Sequence, residues 1–465
     1  MSNRRILGVL FPALGIVAGL HFAAGVELRA ARTGPRTTGP QPLVIRVQPE
    51  TAVMGTPFTL TLAGLDANEE VTVKAASVDK RGRLFRSSAV FAASPQGTVD
   101  VASQAPLSGD YAGADIFGLL WSMQTQTAPD KRPPSYAQDE VDGWTVDFEA
   151  RSASGKSASV RLRRVYQMSG QGLVRMPLDE DGMRGFLYCP DKGGPFPGVL
   201  ILGGSNGGLY EWLAQAFASQ GFAALTLAYF RYPGLPDELV EIPLEYFSKA
   251  IAWMKSRPQI KSGSLGLAGG SKGGELALLL ASRLSDFQAV VAWTPSAHVW
   301  EGLSQKYFSP DYVPRSSWSF EGKPLPFVSF NSRPEDKALE LKGELNSYVA
   351  LHRRALAEAD PAVLEKAAIS IENIKAPLLL ISGTQDQTWP ADDFCRAIMS
   401  RLESCGFAYE HRHISHKGAG HQSFLPYLIT AHTAPISGGA DKANAAAGFV
   451  SWRETIAFFN KHLRR

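Results

Sequence analysis

Two rhythms of apolar and polar residues divide the chain. From Leu43 to about Val165 they alternate at period two in short runs: Leu43–Val47, Pro57–Leu62, Glu70–Ala76, Ser88–Ala92, Thr98–Val101 and Thr145–Glu149. Alternation of this kind, broken by turn residues every eight to twelve positions, predicts a small antiparallel sandwich over residues 43–166. Beyond about Gln167 the runs become continuous and helical segments separate them. Strands are expected at Gly198–Leu202, Ala223–Ala228, Leu265–Ala268, Ala289–Trp293, Leu378–Ser382 and Ala408–Ile414; helices are expected at Tyr210–Ser219, Leu244–Lys255, Glu275–Leu284 and Phe449–His462. Wholly apolar strands alternating with helices imply a parallel sheet covered on both faces, an α/β domain over residues 167–465. From Pro295 to Ile374 the pattern breaks into an aromatic, proline-bearing stretch and one charged helix, Leu339–Glu358. This reads as an insertion over the carboxyl edge of the sheet, where ligands enter such folds.

The amino terminus follows neither rhythm. Arg4 and Arg5 precede an apolar run, Ile6–Val26, whose one polar residue is His21, and Ala23, Ala24 and Gly25 would suit a signal peptidase. Residues 1–26 therefore read as a signal peptide or as an uncleaved membrane anchor through residues 6–26. The paired arginines hint at a twin-arginine signal, although the residues after them fit that pattern poorly. Residues 27–42, rich in Arg, Thr, Gly and Pro, read as a flexible tether. The body is accordingly expected to be exported or membrane-tethered, in the periplasm or another extracytoplasmic space if the source is bacterial.

Composition narrows the remaining classes. A hydrophobic content of 45% and a charged content of 20% are those of a globular chain. A net charge of +3 over 465 residues, with no basic run carrying interleaved aromatics, gives no ground for a nucleic-acid partner. Cys189, Cys395 and Cys405 are too few for a disulfide framework; they read as three free thiols or as a single Cys395–Cys405 bridge.

The chemistry concentrates in Ser264–Ser282, where an apolar strand runs into Gly269-Gly270-Ser271-Lys272-Gly273 and then a helix-forming run. This is G-x-S-x-G in the strand, tight turn and helix setting of a nucleophile elbow, and it points to the α/β-hydrolase fold. The turn strains the serine backbone, and side chains at the flanking glycines would collide with neighbouring elements. A serine hydroxyl needs a base to take its proton and a carboxylate to orient that base. In this fold they follow in the order serine, acid, histidine. Asp386 stands just past the strand Leu378–Ser382, and His421 stands in Lys417-Gly418-Ala419-Gly420-His421 after the next strand. Ser271, Asp386 and His421 are thus the candidate triad. Oxyanion donors are expected from the backbone N–H of Lys272 and from Ser205 or Asn206, in the glycine-rich loop Gly203–Gly208. That loop lacks the G-x-G-x-x-G spacing of a dinucleotide site. His411, His413 and His416 have no carboxylate or cysteine at ligand spacing, so neither a metal nor another cofactor is expected. Lys272 itself reads as a solvated helix-start lysine in preference to a ligand for a substrate phosphate.

The motifs together resemble the acyl-CoA thioesterase and bile acid-CoA:amino acid N-acyltransferase family over nearly everything from Leu43 onward. The carriers are Arg83–Ala89 (RLFRSSA), Gly118–Ser122 (GLLWS), Gly194–Gly198 (GPFPG), Leu244–Phe247 (LEYF), the elbow Gly270–Gly273 and Gly418–His421. The resemblance implies an immunoglobulin-like domain before an α/β-hydrolase domain, and an acyl-enzyme mechanism carried by Ser271, Asp386 and His421. Its implied partner is a small acyl thioester or ester, with coenzyme A as a candidate leaving group. Members that conjugate acyl groups to amino acids carry cysteine at the nucleophile position; serine here favours hydrolysis. Acyl transfer to an amino acid, an exported carboxylesterase and a non-catalytic binding module stand as alternatives. Two features depart from the family pattern: the leader, since coenzyme A thioesters are intracellular, and Pro435–Ala447 (PISGGADKANAAA), which reads as a loop insertion after the histidine.

Overall fold

The computed structural model describes residues 41–127, 131–137, 143–166, 172–422, 424 and 428–464. The expected leader and all but the last two residues of the tether lie outside them. Among the described residues no helix is long and apolar enough to cross a membrane.

The alternating region forms two sheets. Val44–Gln48, Thr59–Ala63 and Thr98–Asp100 pair antiparallel in one. The second runs in the order Thr51–Val53, Ser157–Val165, Trp144–Ser152, Glu70–Val78, Leu84–Ala92 and Ser108–Gly109, with Gln124–Thr125 also paired to Leu84–Ala92. Period-two burial is clearest in Trp144–Ser152, whose odd positions from Trp144 onward are all buried and whose even positions are all exposed. Trp121 is only half-buried: its Nε1 donates to Asp115 Oδ2 at 2.9 Å and its ring meets Tyr111 edge-on. Phe85 and Phe148 of this region belong to the same continuous core as Phe217, Trp293 and Trp452 farther along the chain.

Eight strands then form a single sheet: β1 (Leu173–Leu178), β2 (Arg184–Pro190), β3 (Phe196–Leu202), β4 (Ala223–Ala228), β5 (Ile260–Gly270), β6 (Ala289–Trp293), β7 (Leu378–Gly383) and β8 (His411–His416). Their order is β1-β2-β4-β3-β5-β6-β7-β8; β2 is antiparallel to both neighbours and the rest are parallel. This is the α/β-hydrolase fold. The order matters chemically because it sets the loops after β3 and β5 side by side, with Leu202 paired to Gly269. It likewise sets the loops after β7 and β8 side by side, with Gly383 paired to His416.

Local chemistry moved several expected boundaries. The charged helix expected over Leu339–Glu358 is two helices, Pro334–Leu341 and Val349–Glu358, because Gly343 takes φ +69° just past the first and ends it. The last helix starts at Asp441, so half of the expected loop insertion Pro435–Ala447 is helical. Alanine-rich sequence favours that start, and the Asp441 carboxylate accepts from the N–H groups of His432 and Thr433. β8 begins at His411, not Ala408; as an edge strand it needs no continuous apolar run, and its burial is only partial. Ser157–Val165, β1 and β2 were not expected as strands. All three cysteines are free, which removes the Cys395–Cys405 bridge.

Phe217 is the centre of the aromatic packing beneath the sheet. It is fully buried, with ring centroids of Trp452, Phe459, Phe222 and Trp293 at 5.0, 5.9, 6.0 and 6.5 Å. Phe217→Ala should lower unfolding free energy by roughly 3–5 kcal/mol, read as a fall in the urea midpoint; an unchanged midpoint would deny Phe217 this role.

Candidate active site

β5 delivers its last residue, Gly270, directly to Ser271, whose backbone adopts φ +58° and ψ −123°, a sparsely populated region for a residue with a side chain. The surroundings enforce it. A Cβ on Gly269 would lie 2.0 Å from the Gly273 carbonyl oxygen, and one on Gly273 would lie 2.3 Å from that of Leu202. Strand and helix therefore close on each other with no room for side chains at the two frame positions. The Ser271 N–H donates to the Trp293 carbonyl at 2.9 Å, tying the turn to the end of β6. From Lys272 to Ala281 the chain is a helix, all of it buried.

The loop after β3 passes against this turn, and a Cβ on Gly204 would sit 3.3 Å from the Ser271 Cβ. Tyr210 Oη receives the Gly204 N–H at 3.2 Å. Among the described residues the N–H groups of Lys272 and Ser205 meet no backbone acceptor. Ser205 lines the same cavity as Ser271, whereas Asn206 does not.

Asp386 and His421 come together from the adjacent loops after β7 and β8, 35 residues apart in sequence. His421 Nδ1 lies 2.7 Å from Asp386 Oδ2, and both residues are buried. An ionised carboxylate only accepts, so Nδ1–H donates and Nε2 is left with a free lone pair. Asp386 Oδ1 accepts from the N–H groups of Thr388 and Trp389 at 2.8 and 3.2 Å, so both carboxylate oxygens are occupied. The segment that reads as an insertion holds the two loops together. His421 N–H donates to the Ser437 carbonyl at 2.7 Å, Gly420 N–H donates to Asn444 Oδ1 at 2.7 Å, and Gly438 bridges to Asp386. Trp389 links this pair to the serine: its ring meets His421 edge-on at 6.1 Å, and it lines the cavity with Ser271.

Lys272 departs from expectation. It is 4% exposed, with Nζ 2.9 and 3.0 Å from the two carboxylate oxygens of Glu275 one helical turn on. Glu275 is fully buried and also accepts from Trp318 Nε1 at 2.8 Å. Burial is the largest influence on both groups: it pulls the Lys272 ammonium down and pushes the Glu275 carboxyl up, while their mutual contact opposes both shifts. The solvated lysine is ruled out because the segment after β6 covers it. The spacing of three was visible in the sequence, but nothing in it placed Trp318 over the pair.

The cavity holding Ser271 has a volume of about 330 Å³. The segment after β6 supplies much of its wall, including Trp300, Phe330, Tyr348 and His352, while the Thr388–Trp389 turn closes another side. His352 carried no local sequence signal, since only tertiary folding of the Val349–Glu358 helix brings it there. The histidines of β8 are occupied elsewhere: His413 Nε2 meets Ser382 Oγ at 2.8 Å, His416 Nε2 meets Ser451 Oγ at 2.9 Å, and His411 Nδ1 bonds the Tyr409 carbonyl.

Two tests follow from these environments. Glu275→Ala leaves a buried ammonium unpaired and should cost roughly 3–5 kcal/mol. The double variant Lys272→Met/Glu275→Gln, which keeps an acceptor for Trp318, should lose less; urea midpoints would show it, and equal losses would deny the pairing. Burial also pushes His298 and His352 down to about 4 from the ordinary 6.5. Between those values the unfolded chain binds more protons than the folded one, so stability falls as pH drops from 6.5 toward 4. Urea midpoints measured across that window should fall with pH, and less steeply in His298→Phe.

Residues 242–465 match the family described as BAAT / acyl-CoA thioester hydrolase C terminal, and residues 55–180 match the acyl-CoA thioester hydrolase/BAAT N-terminal region. The mouse mitochondrial acyl-coenzyme A thioesterase 2 is 30% identical over 448 residues, covering 93% of this chain and 92% of that one. Mouse acyl-coenzyme A thioesterase 5 is 29% identical over 421 residues, covering 88% and 93%. Human acyl-coenzyme A thioesterase 1 is 29% identical over 425 residues, with the same coverage. Matches to both family regions, in sequence order and spanning nearly the whole of these relatives, lead to one assignment: the chain belongs to the acyl-CoA thioester hydrolase/bile acid-CoA:amino acid N-acyltransferase family.

Proposed function

We propose that this protein hydrolyses acyl thioesters through an acyl-serine intermediate. The observation that carries the reading is the buried His421–Asp386 hydrogen bond of 2.7 Å against Trp389, a residue that itself lines the cavity where Ser271 sits on its strained turn. In this mechanism His421 Nε2 takes the hydroxyl proton as Ser271 Oγ attacks the thioester carbonyl carbon. Negative charge collects on the carbonyl oxygen, and the N–H groups of Lys272 and Ser205 stabilise it. Collapse of the tetrahedral adduct breaks the carbon–sulfur bond, the thiol leaves with the proton from His421, and the acyl group stays on Ser271. Water then attacks the ester, giving its proton to His421, and the free acid departs as Ser271 recovers its own. Asp386 holds the histidine tautomer throughout and opposes its positive charge. The family relationship supports coenzyme A as the leaving group.

Ser271→Ala should lower turnover of acyl-CoA thioesters by several orders of magnitude with little loss of binding, and a fluorophosphonate should label Ser271 in the unaltered protein. Asp386→Asn should lower turnover by roughly 10⁴, the size of the effect in another serine hydrolase. Full turnover in Ser271→Ala would end the acyl-serine reading. A dominant amide product in the presence of glycine or taurine would replace hydrolysis by acyl transfer.

A further inference from the structure

In the wall of the cavity with Ser271 stands a histidine other than His421: His352, which the thioesterase chemistry does not use. It is 7% exposed and sits in a box of aromatic rings, with Trp300, Phe330 and Trp389 at 4.7, 5.6 and 6.0 Å, each close to edge-on. Its Nδ1 lies 2.8 Å from the Tyr348 carbonyl oxygen. A carbonyl oxygen only accepts, so the proton is on Nδ1 and Nε2 carries a bare lone pair. Nε2 has no hydrogen-bond partner among the described residues, yet it is not one of the sealed, unpartnered buried atoms. The open space it faces is the cavity whose wall it forms. Burial, helped by the nearby Lys272 and His421, keeps the ring neutral at physiological pH.

A neutral acceptor boxed in by aromatic rings and facing a cavity calls for a donor on the ligand. The cavity is exposed at Arg231 and Phe308 and buried at Trp300, Lys272 and His352. A nucleotide-bearing leaving group fits only at the exposed side, so the acyl group takes the buried one. We infer that His352 is a specificity-determining residue whose Nε2 accepts a hydrogen bond from a hydroxyl or amide N–H carried by the acyl group of the substrate. The inference rests on the thioester reading of the site. It separates this protein's substrates from unsubstituted saturated acyl groups, which would strand the imidazole lone pair.

Three thioesters test it: butanoyl-CoA, 3-hydroxybutanoyl-CoA and N-acetylglycyl-CoA, compared by kcat/KM in the full chain. At least one donor-bearing substrate should exceed butanoyl-CoA by roughly tenfold or more. His352→Phe, which keeps a ring in the aromatic box, should bring that ratio close to one, mainly through KM. His352→Gln, which restores an acceptor, should recover part of it. A purely structural role would lower all substrates together and leave the ratio intact. Dissociation constants of the matching carba analogues, in which CH₂ replaces the thioester sulfur, should show the same discrimination without turnover. If the analogues are discriminated but no thioester is hydrolysed, the hydrolase reading fails and the role of His352 stands. Equal treatment of donor-bearing and plain acyl groups by the unaltered protein, in binding and turnover, overturns the inference, as does a ratio unchanged in His352→Phe.

Discussion

A charge pair shielded from water lies one residue from the candidate nucleophile, and two parts of the chain are built around it. Lys272 and Glu275 occupy the first turn of the elbow helix, and Trp318 reaches Glu275 from the covering segment. Taking two charges out of water is costly, and only good geometry with further hydrogen bonds offsets it. The Trp318 N–H and the Lys272 ammonium provide those bonds. The pair therefore fixes where the covering segment meets the elbow, and that position in turn shapes the cavity into which Ser271 and His352 both project. A shift of the segment would expose the pair on one side or leave it unsatisfied on the other.

The other half of the site rests on backbone. Asp386 and His421 stand on neighbouring loops because β7 and β8 are neighbours, but adjacency alone does not align a carboxylate with an imidazole. The alignment comes from residues 437–444, which bond to both loops, and from Asn444 at the start of the last helix. The last helix also lays Trp452 and Phe459 against Phe217. One element thus serves the core and the site together, and the histidine loop is anchored to the helix that packs on Phe217.

The cavity combines large aromatic surfaces with a few fixed polar groups, the composition expected of a site that binds by burial and selects by hydrogen bonding. Its aromatic residues come from the segment after β6 and from the turn after β7, so its shape belongs to the covering segment more than to the sheet.

Patterns of period two, continuous apolar runs and glycine placement were enough to read most of the strands and the elbow turn, and to single out Ser271, Asp386 and His421 as candidates, because each rests on local backbone chemistry; β1, β2 and Ser157–Val165 escaped that reading. Gly269 and Gly273 betray the close approach of strand and helix in the sequence itself, since only a missing side chain permits it. Where long-range contacts decide, the sequence is silent. Lys272 reads as solvated because a helix-start lysine usually is, and only the arrival of Trp318, 43 residues past Glu275, buries it. Pro435–Ala447 reads as a loop because its hydrogen-bond partners lie on other loops. His352 reads as nothing at all, for a lone histidine on a charged helix acquires chemistry only when the fold encloses it beside the serine. What the sequence determined is the elbow and most of the strands and helices, which local sterics enforce; what the tertiary structure decided is the order of the strands and which polar groups lose water, because desolvation depends on everything packed around them.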